Sequence, residues 1–268
     1  MIELVLLYGV IQAATEFLPI SSSGHLVLLH RFVPLAGVDA VRFDVALHWG
    51  TLLAVVVYFR HDLMGLFRGW LRSIARRTVA ENEQGRLAWM ILLGNVLPVL
   101  AGAIVGPAIE AATRTPMVVV VTLVAGAVLL ALADRFGRRT KGVEQATTAD
   151  ILLIGASQII AFVPGVSRSG ISIITALARN LNRTAAVRLS FLLSVPIIFA
   201  AGVKELFGFL QDESMAAASW NMLLGVLFSA LFGYFVIAFL LRYVERHTFR
   251  LFAIYRVAIA VLMLSFFL

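Results

Sequence analysis

Six apolar stretches of this chain can cross a bilayer, at about 43–59, 87–109, 115–134, 184–206, 215–241 and 250–268. A crossing takes roughly 20 helical residues, with about 17 as a lower limit. Two further stretches stop short: Leu4–Ala14 has 11 residues and Ile151–Val163 has 13. Each runs into a polar loop that ends in glycine. The first loop reads Pro19-Ile20-Ser21-Ser22-Ser23-Gly24 and is followed by His25; the second reads Pro164-Gly165-Val166-Ser167-Arg168-Ser169-Gly170. Ser21, Ser23 and Gly24 recur as Ser167, Ser169 and Gly170 at an offset of 146 residues, and Gly9 and Gln12 recur as Gly155 and Gln158. Short apolar pieces, 26–36 and 171–178, follow the loops. Apolar segments this short read as re-entrant rather than spanning. Irregular backbone at membrane depth persists only where protein or a water-filled cavity satisfies it.

Composition agrees. The chain of 268 residues is 61% hydrophobic and 14% charged, whereas soluble domains carry about 25% charge. The fold class is an all-α polytopic membrane protein. The absence of cysteine excludes disulfides and thiolate chemistry. Glu3 precedes the first apolar run without a basic segment before it, so the N-terminus does not read as a cleaved signal peptide. The net charge of +7 is not a nucleic-acid signal, because the basic residues sit in short loops between apolar spans.

Those loops give an orientation. The stretches 60–86, 135–148, 179–188 and 242–250 hold 16 Lys and Arg, against 4 on the opposite side: Arg31, Arg42, Arg114 and Lys204. The positive-inside rule places the first set in the cytoplasm. The first hairpin then enters from outside and the second from the cytoplasm, each followed by three spans. The expectation is one transmembrane domain over 1–268: six spanning helices and two re-entrant helical hairpins in an inverted-topology repeat, with halves at about 1–140 and 146–268.

The candidate chemistry gathers at the two loops. Gln12 and Glu16 are four residues apart and share a helix face. An ionisable group among apolar residues suggests a functional site. A carboxylate there can ligate Mg²⁺, although an interfacial Glu in water fits the same sequence. Ser21, Ser22 and Ser23 precede a helix starting near Gly24, where serines cap the helix and free N–H groups bind anions. His25 lies three residues after Ser22. That spacing fits a serine nucleophile beside a histidine base, and equally a nucleophilic His25. Arg168, between Ser167 and Ser169, suits bidentate phosphate recognition. A salt bridge from Arg168 to Glu16 is the structural alternative, and it is compatible with function. Ser172 offers one more hydroxyl.

Other features read less sharply. Asp44 and His48, four apart at the start of the third segment, fit either a site or a solvated interface. Arg256 lies six residues beyond Arg250 and reads as snorkelling to the cytoplasmic surface. Gly102 and Gly106 form a small-residue helix-packing pattern. Asn95 with Pro98 marks a kink. No phosphate-binding GxxxxGK[ST] loop, HExxH helix or GxGxxG fingerprint occurs.

At these residues the chain resembles the bacterial undecaprenyl-diphosphate phosphatase family, the bacitracin-resistance type of integral membrane phosphatase. The resemblance rests on an (E/Q)xxxE element, Gln12 to Glu16, running into Phe17-Leu18-Pro19-Ile20-Ser21-Ser22-Ser23-Gly24-His25. A PGxSRSxxT element follows at Pro164 to Ser172, with Ser172 where the family pattern has Thr. The likeness covers the whole length, including Phe43-Asp44-Val45 and Phe252-Ala253-Ile254-Tyr255-Arg256. It implies removal of the terminal phosphate of undecaprenyl diphosphate, a polyprenyl lipid, at a site open to the periplasm of the cytoplasmic (inner) membrane. It implies a divalent cation, Mg²⁺ or Ca²⁺. By matching positions, Ser22 would be the nucleophile, His25 its acid/base partner and Arg168 the phosphate clamp. Glu16, with Gln12, would hold or orient the metal. Ser21, Ser23, Ser167, Ser169 and Ser172 would donate to phosphate.

A competing expectation comes from the architecture. Inverted repeats with broken helices at the midplane also build secondary transporters, so a flippase of a lipid phosphate or a carrier of a small anion is the alternative. Either function can operate as a homodimer, and the sequence does not choose the assembly.

Overall fold

The computed structural model describes residues 1–35, 40–78, 82–209 and 219–267. The start of the 215–241 stretch and the side chain of Lys204 lie outside the described residues. Twelve α-helices follow one another, and no strand occurs among the described residues. They are α1 (Ile2–Phe17), α2 (Ser22–Phe32), α3 (Ala40–Tyr58), α4 (Arg60–Arg76), α5 (Glu83–Ile104) and α6 (Gly106–Thr113). After them come α7 (Pro116–Phe136), α8 (Thr148–Ser157), α9 (Arg168–Ala178), α10 (Arg183–Phe209), α11 (Ser219–Arg246) and α12 (Arg250–Phe267). A 3₁₀ segment, Gln158–Phe162, extends α8.

Among the described residues, five helices are long and apolar enough to cross a membrane: α5, α7, α10, α11 and α12. Their exposed faces are apolar, as at Leu93, Val96, Leu97 and Leu100 on α5 and Val121, Val128 and Leu132 on α7. The sixth expected span, 43–59, is α3, which bends by 79° into α4. Residues 60–76 therefore do not form the loop that their charge suggested. Leu63, Leu66, Phe67 and Trp70 recur at helical spacing, and α4 lays this apolar stripe along a cavity shared with α5 and α10. Gly69 and Gly85 allow the close crossing, since a Cβ on Gly85 would lie 2.7 Å from the Gly69 carbonyl oxygen. The 87–109 stretch breaks at Val105, where α5 gives way to the short α6.

Both short stretches form helix–loop–helix hairpins, α1–α2 and α8–α9. α8 starts with a capping box, in which Thr147 and Asp150 bond each other's backbone N–H. Burial pushes the Asp150 carboxyl up. The Thr147 N–H, Lys141, Arg179 and the Thr147 hydroxyl outweigh it and hold the carboxyl well below the usual range.

Ionic contacts join the four basic stretches at one end of the bundle. Arg188 pairs with Asp62, while Arg179 and Lys141 meet on Asp150. Arg183 pairs with Asp134, which also accepts from the Phe249 N–H. The grouping expected from charge counting is thus a physical cluster. The apolar core lies between it and the loops, with Phe191 in ring contact with both Phe17 and Phe59.

Candidate functional site: two loops around Glu16

The two loops adopt the same backbone. Ser21 (φ 76°, ψ 101°) and Ser167 (φ 72°, ψ 111°) are the N-caps of α2 and α9. A positive φ costs a non-glycine residue about 1–3 kcal/mol and persists only where the surroundings impose it. Each hydroxyl accepts from the N–H three residues on, Gly24 at 3.4 Å and Gly170 at 3.1 Å. Each also lies 3.2 Å from the hydroxyl two residues on, Ser23 and Ser169. The loops bond each other: the Gly165 N–H donates to Ser23 Oγ, and Ser169 Oγ donates to the Leu18 carbonyl.

Glu16 organises the cavity between them. Its side chain is 5% exposed. Arg168 Nη2 lies 2.7 Å from Oε1, and Ser22 Oγ donates to Oε2 at 2.8 Å. Gln12 Nε2 donates to the same Oε2 at 3.2 Å, and His48 Nε2 approaches it at 3.5 Å. Ser21, Ser22, Ser23, Ser167 and Arg168 line this cavity of about 350 Å³ with Glu16. Ser22 and Arg168 are the first residues of α2 and α9, so two helix N-termini meet at the cavity wall, where anions are favoured.

Three expected placements change. His25 does not reach Ser22. Its Nδ1 bonds the Ser21 carbonyl at 2.7 Å and its Nε2 bonds the Tyr255 hydroxyl at 2.9 Å, with the two rings stacked. Nδ1 must donate to a carbonyl, so neutral His25 accepts a hydrogen bond from the Tyr255 hydroxyl on Nε2, which engages the one ring lone pair that a base or nucleophile would use. Ser169 is spent on Leu18, and Ser172 Oγ is fully buried without a hydrogen-bond partner, so neither faces the cavity. Arg256 does not snorkel; it is fully buried.

His48, which the sequence left open between a site and a solvated interface, lies against Glu16. Its Nδ1 bonds the Asp44 carbonyl at 2.7 Å, which leaves Nε2 with its lone pair toward Glu16. The signal was present in the spacing of Asp44 and His48. The partner is the Asp44 backbone, however, because the Asp44 carboxylate pairs with His30 at 2.9 Å.

The donors do not fit a resident metal ion. Among the described residues, no three His, Cys, Asp or Glu side chains gather as a metal-binding group. Both Glu16 oxygens are engaged, one of them by a guanidinium that repels cations. Gln12 contributes its NH₂ to Glu16, and its buried Oε1 has no partner.

A second cavity, of about 470 Å³, is lined by apolar and small residues including Pro98, Val99, Gly102 and Ala200. It shares Phe162, Ile197 and Ala201 with the polar cavity. Gly102 packs on Phe162 rather than on a helix partner, since a Cβ there would lie 3.1 Å from the ring.

An all-α polytopic protein whose matched, serine-capped loops bring a hydroxyl, a carboxylate and a guanidinium together is a membrane protein built for anion chemistry beside lipid. The chain belongs to the family described as bacitracin resistance protein BacA, whose model matches residues 5–262. It is 42% identical over 275 residues to an undecaprenyl-diphosphatase of Rubrobacter xylanophilus, covering all of both chains. It is 41% identical to one of Hahella chejuensis, over 95% of this chain and 94% of that one. It is 39% identical to undecaprenyl-diphosphatase 2 of Stutzerimonas stutzeri, over 98% and 97%. These relatives carry an enzyme's name, so the transporter alternative loses its ground.

Proposed function

We propose that this chain hydrolyses the terminal phosphate of undecaprenyl diphosphate, releasing inorganic phosphate and leaving undecaprenyl phosphate, the lipid carrier for cell-wall glycans. The observation that carries this reading is the Ser22–Glu16–Arg168 cluster, in a polar cavity that shares a wall with an apolar one. The diphosphate sits between the loops, and the first isoprene units follow the wall shared at Phe162, Ile197 and Ala201.

Ser22 Oγ already donates to Glu16 Oε2, so its proton passes to that carboxylate as Oγ attacks the terminal phosphorus. The bond from phosphorus to the bridging oxygen breaks, and undecaprenyl phosphate leaves. Arg168 turns from Glu16 to the phosphoryl oxygens, where its fork and the two helix N-termini offset the developing charge. His48 Nε2 takes the proton from Glu16, which then accepts one from the water that attacks phosphoserine. The bond from phosphorus to Ser22 Oγ breaks, and Glu16 returns its proton to Oγ. Inorganic phosphate leaves while His48 gives up its proton to solvent. His25 supports the first loop instead of moving protons. A divalent cation, Mg²⁺ or Ca²⁺, would enter with the diphosphate substrate and supply charge compensation there.

The chain is read as two inverted repeats, 1–140 and 146–268, in the bacterial cytoplasmic membrane. Matched backbone at Ser21 and Ser167 supports the repeat. The polar cavity takes His48 and Trp49, midway along α3, and Ala201 and Gly202, far along α10 from Arg183. That supports an opening on the periplasmic side, away from the basic cluster.

The test is phosphate release from undecaprenyl diphosphate in detergent, with Mg²⁺ or excess EDTA, for wild type and Ser22→Ala. Release that depends on the cation and vanishes in the variant is expected. No release by folded wild type would sink the reading.

A further inference from the structure

Arg256, in α12, is the largest fully buried side chain among the described residues. A guanidinium cannot shed its charge in a protein, so burial demands compensation. Among the described residues it makes no ion pair. All of its bonds go to backbone carbonyls. Nε donates to Leu123 at 3.0 Å. Nη1 donates to Pro19 at 3.2 Å and Val166 at 3.1 Å. Nη2 donates to Thr122 and Gly165, each at 3.0 Å, and to Val166 at 3.1 Å.

These carbonyls belong to three elements. Leu123 and Thr122 lie in α7, Pro19 lies in the first loop, and Gly165 and Val166 lie in the second. The loop carbonyls come just before Ser21 and Ser167, the two residues held at positive φ. Glycine makes room for the clamp: a Cβ on Gly126 would lie 2.0 Å from Nη2. Thr122 adds a further tie, its hydroxyl donating to the Pro164 carbonyl at 2.7 Å.

We propose that Arg256 is a positioning residue for the phosphatase reaction, a single guanidinium that fixes both loops to α7. It thereby holds Ser22 of one loop in register with Arg168 of the other. Only a planar fork with five N–H donors reaches carbonyls on three elements at once; a lysine ammonium offers three donors from one point. The inference rests on the phosphatase reading for its effect on rate, but not for its effect on the loops.

The test uses full-length protein in detergent, as Arg256→Lys and Gly126→Ala, singly and together. Turnover, melting temperature and amide hydrogen exchange are measured for each. Arg256→Lys is expected to lower kcat about 10²-fold, the scale of an ångström of misplacement. KM should stay within about threefold, because the phosphate-binding groups themselves remain. Exchange should rise in residues 19–25 and 164–170 and stay unchanged in the spans, which general destabilisation would not produce. Gly126→Ala should cost about tenfold in kcat, and the double variant should lose no more than Arg256→Lys alone, since both act through one guanidinium. A folded Arg256→Lys with unchanged loop exchange, or with kcat within threefold of wild type, overturns the proposal. So do kcat losses that multiply in the double variant and track melting temperature. If Arg256→Lys fails to fold, Gly126→Ala decides: unchanged exchange or unchanged kcat overturns it. Absence of turnover in wild type would sink the phosphatase reading alone, and the exchange data would still judge the clamp.

Discussion

The two loops share a backbone and divide the chemistry. Ser21 and Ser167 have the same φ and ψ, the same cap and the same neighbouring hydroxyl. At the next position the offset of 146 residues pairs Ser22 with Arg168. Each is the first residue of its helix and each bonds Glu16, one as a hydroxyl and one as a guanidinium. Just before each loop the offset pairs Glu16 with Phe162. One hairpin supplies the carboxylate, while the segment before the other loop supplies a ring shared by the polar and apolar cavities. His25 likewise pairs with Ile171. The two matched loops therefore make one composite site rather than two copies of a site.

The comparison breaks hardest at Ser22. Ser22→Ala should lower kcat by at least about 10⁴-fold, the scale seen when a nucleophile is removed. The backbone of the first loop should survive, because its cap is Ser21. Phosphate release and melting temperature check both halves. A variant that keeps a tenth of wild-type turnover would remove Ser22 from the chemistry. The mirror position comes next. Arg168→Lys keeps the charge and loses the fork, and kcat should fall about 10²- to 10³-fold, as for loss of an oxyanion donor. A loss in KM alone, at constant kcat, would make Arg168 a ground-state anchor rather than a transition-state clamp.

Much of this division was legible in the sequence. The broken apolar pattern set the spans, and the 146-residue offset marked the loops. Ser22, Glu16 and Arg168 were readable because an ionisable or repeated polar group at membrane depth needs a reason. What escaped depended on contacts between distant residues. His25 meets Tyr255, 230 positions away, and no local spacing foretells that. His48 reaches Glu16 only because α3 packs on α1. Arg256 looked close enough to the cytoplasmic end to snorkel, but six backbone carbonyl contacts from α7 and the loops draw it inward. The charges of 60–76 suggested a loop, although its apolar residues already kept a helical period.

The pairing of Glu16 with Phe162 can be sharpened through the lipid. Gly102 lies against Phe162, and Gly102→Leu would fill the apolar cavity beside it. The expected loss in kcat/KM for undecaprenyl diphosphate is about tenfold or more, since a single methylene in an apolar pocket is worth at least about that much. Farnesyl diphosphate, with a much shorter tail, should lose less. Equal losses for both lipids would mean that the tail leaves the site by another route.

The smallest effect is expected at Tyr255, and it decides the role of His25. If His25 were the proton acceptor for Ser22, its Nε2 would need a free lone pair, and the Tyr255 hydroxyl occupies it. Tyr255→Phe removes that donor while keeping the stacked ring and the bond from His25 to the Ser21 carbonyl. With His25 as a support for the first loop, kcat should change by less than about threefold and the pH profile should superimpose on wild type. A displaced profile would return His25 to the proton path. An unchanged one leaves Glu16 and His48, on α1 and α3, as the groups that carry the proton, opposite the guanidinium of Arg168 on α9.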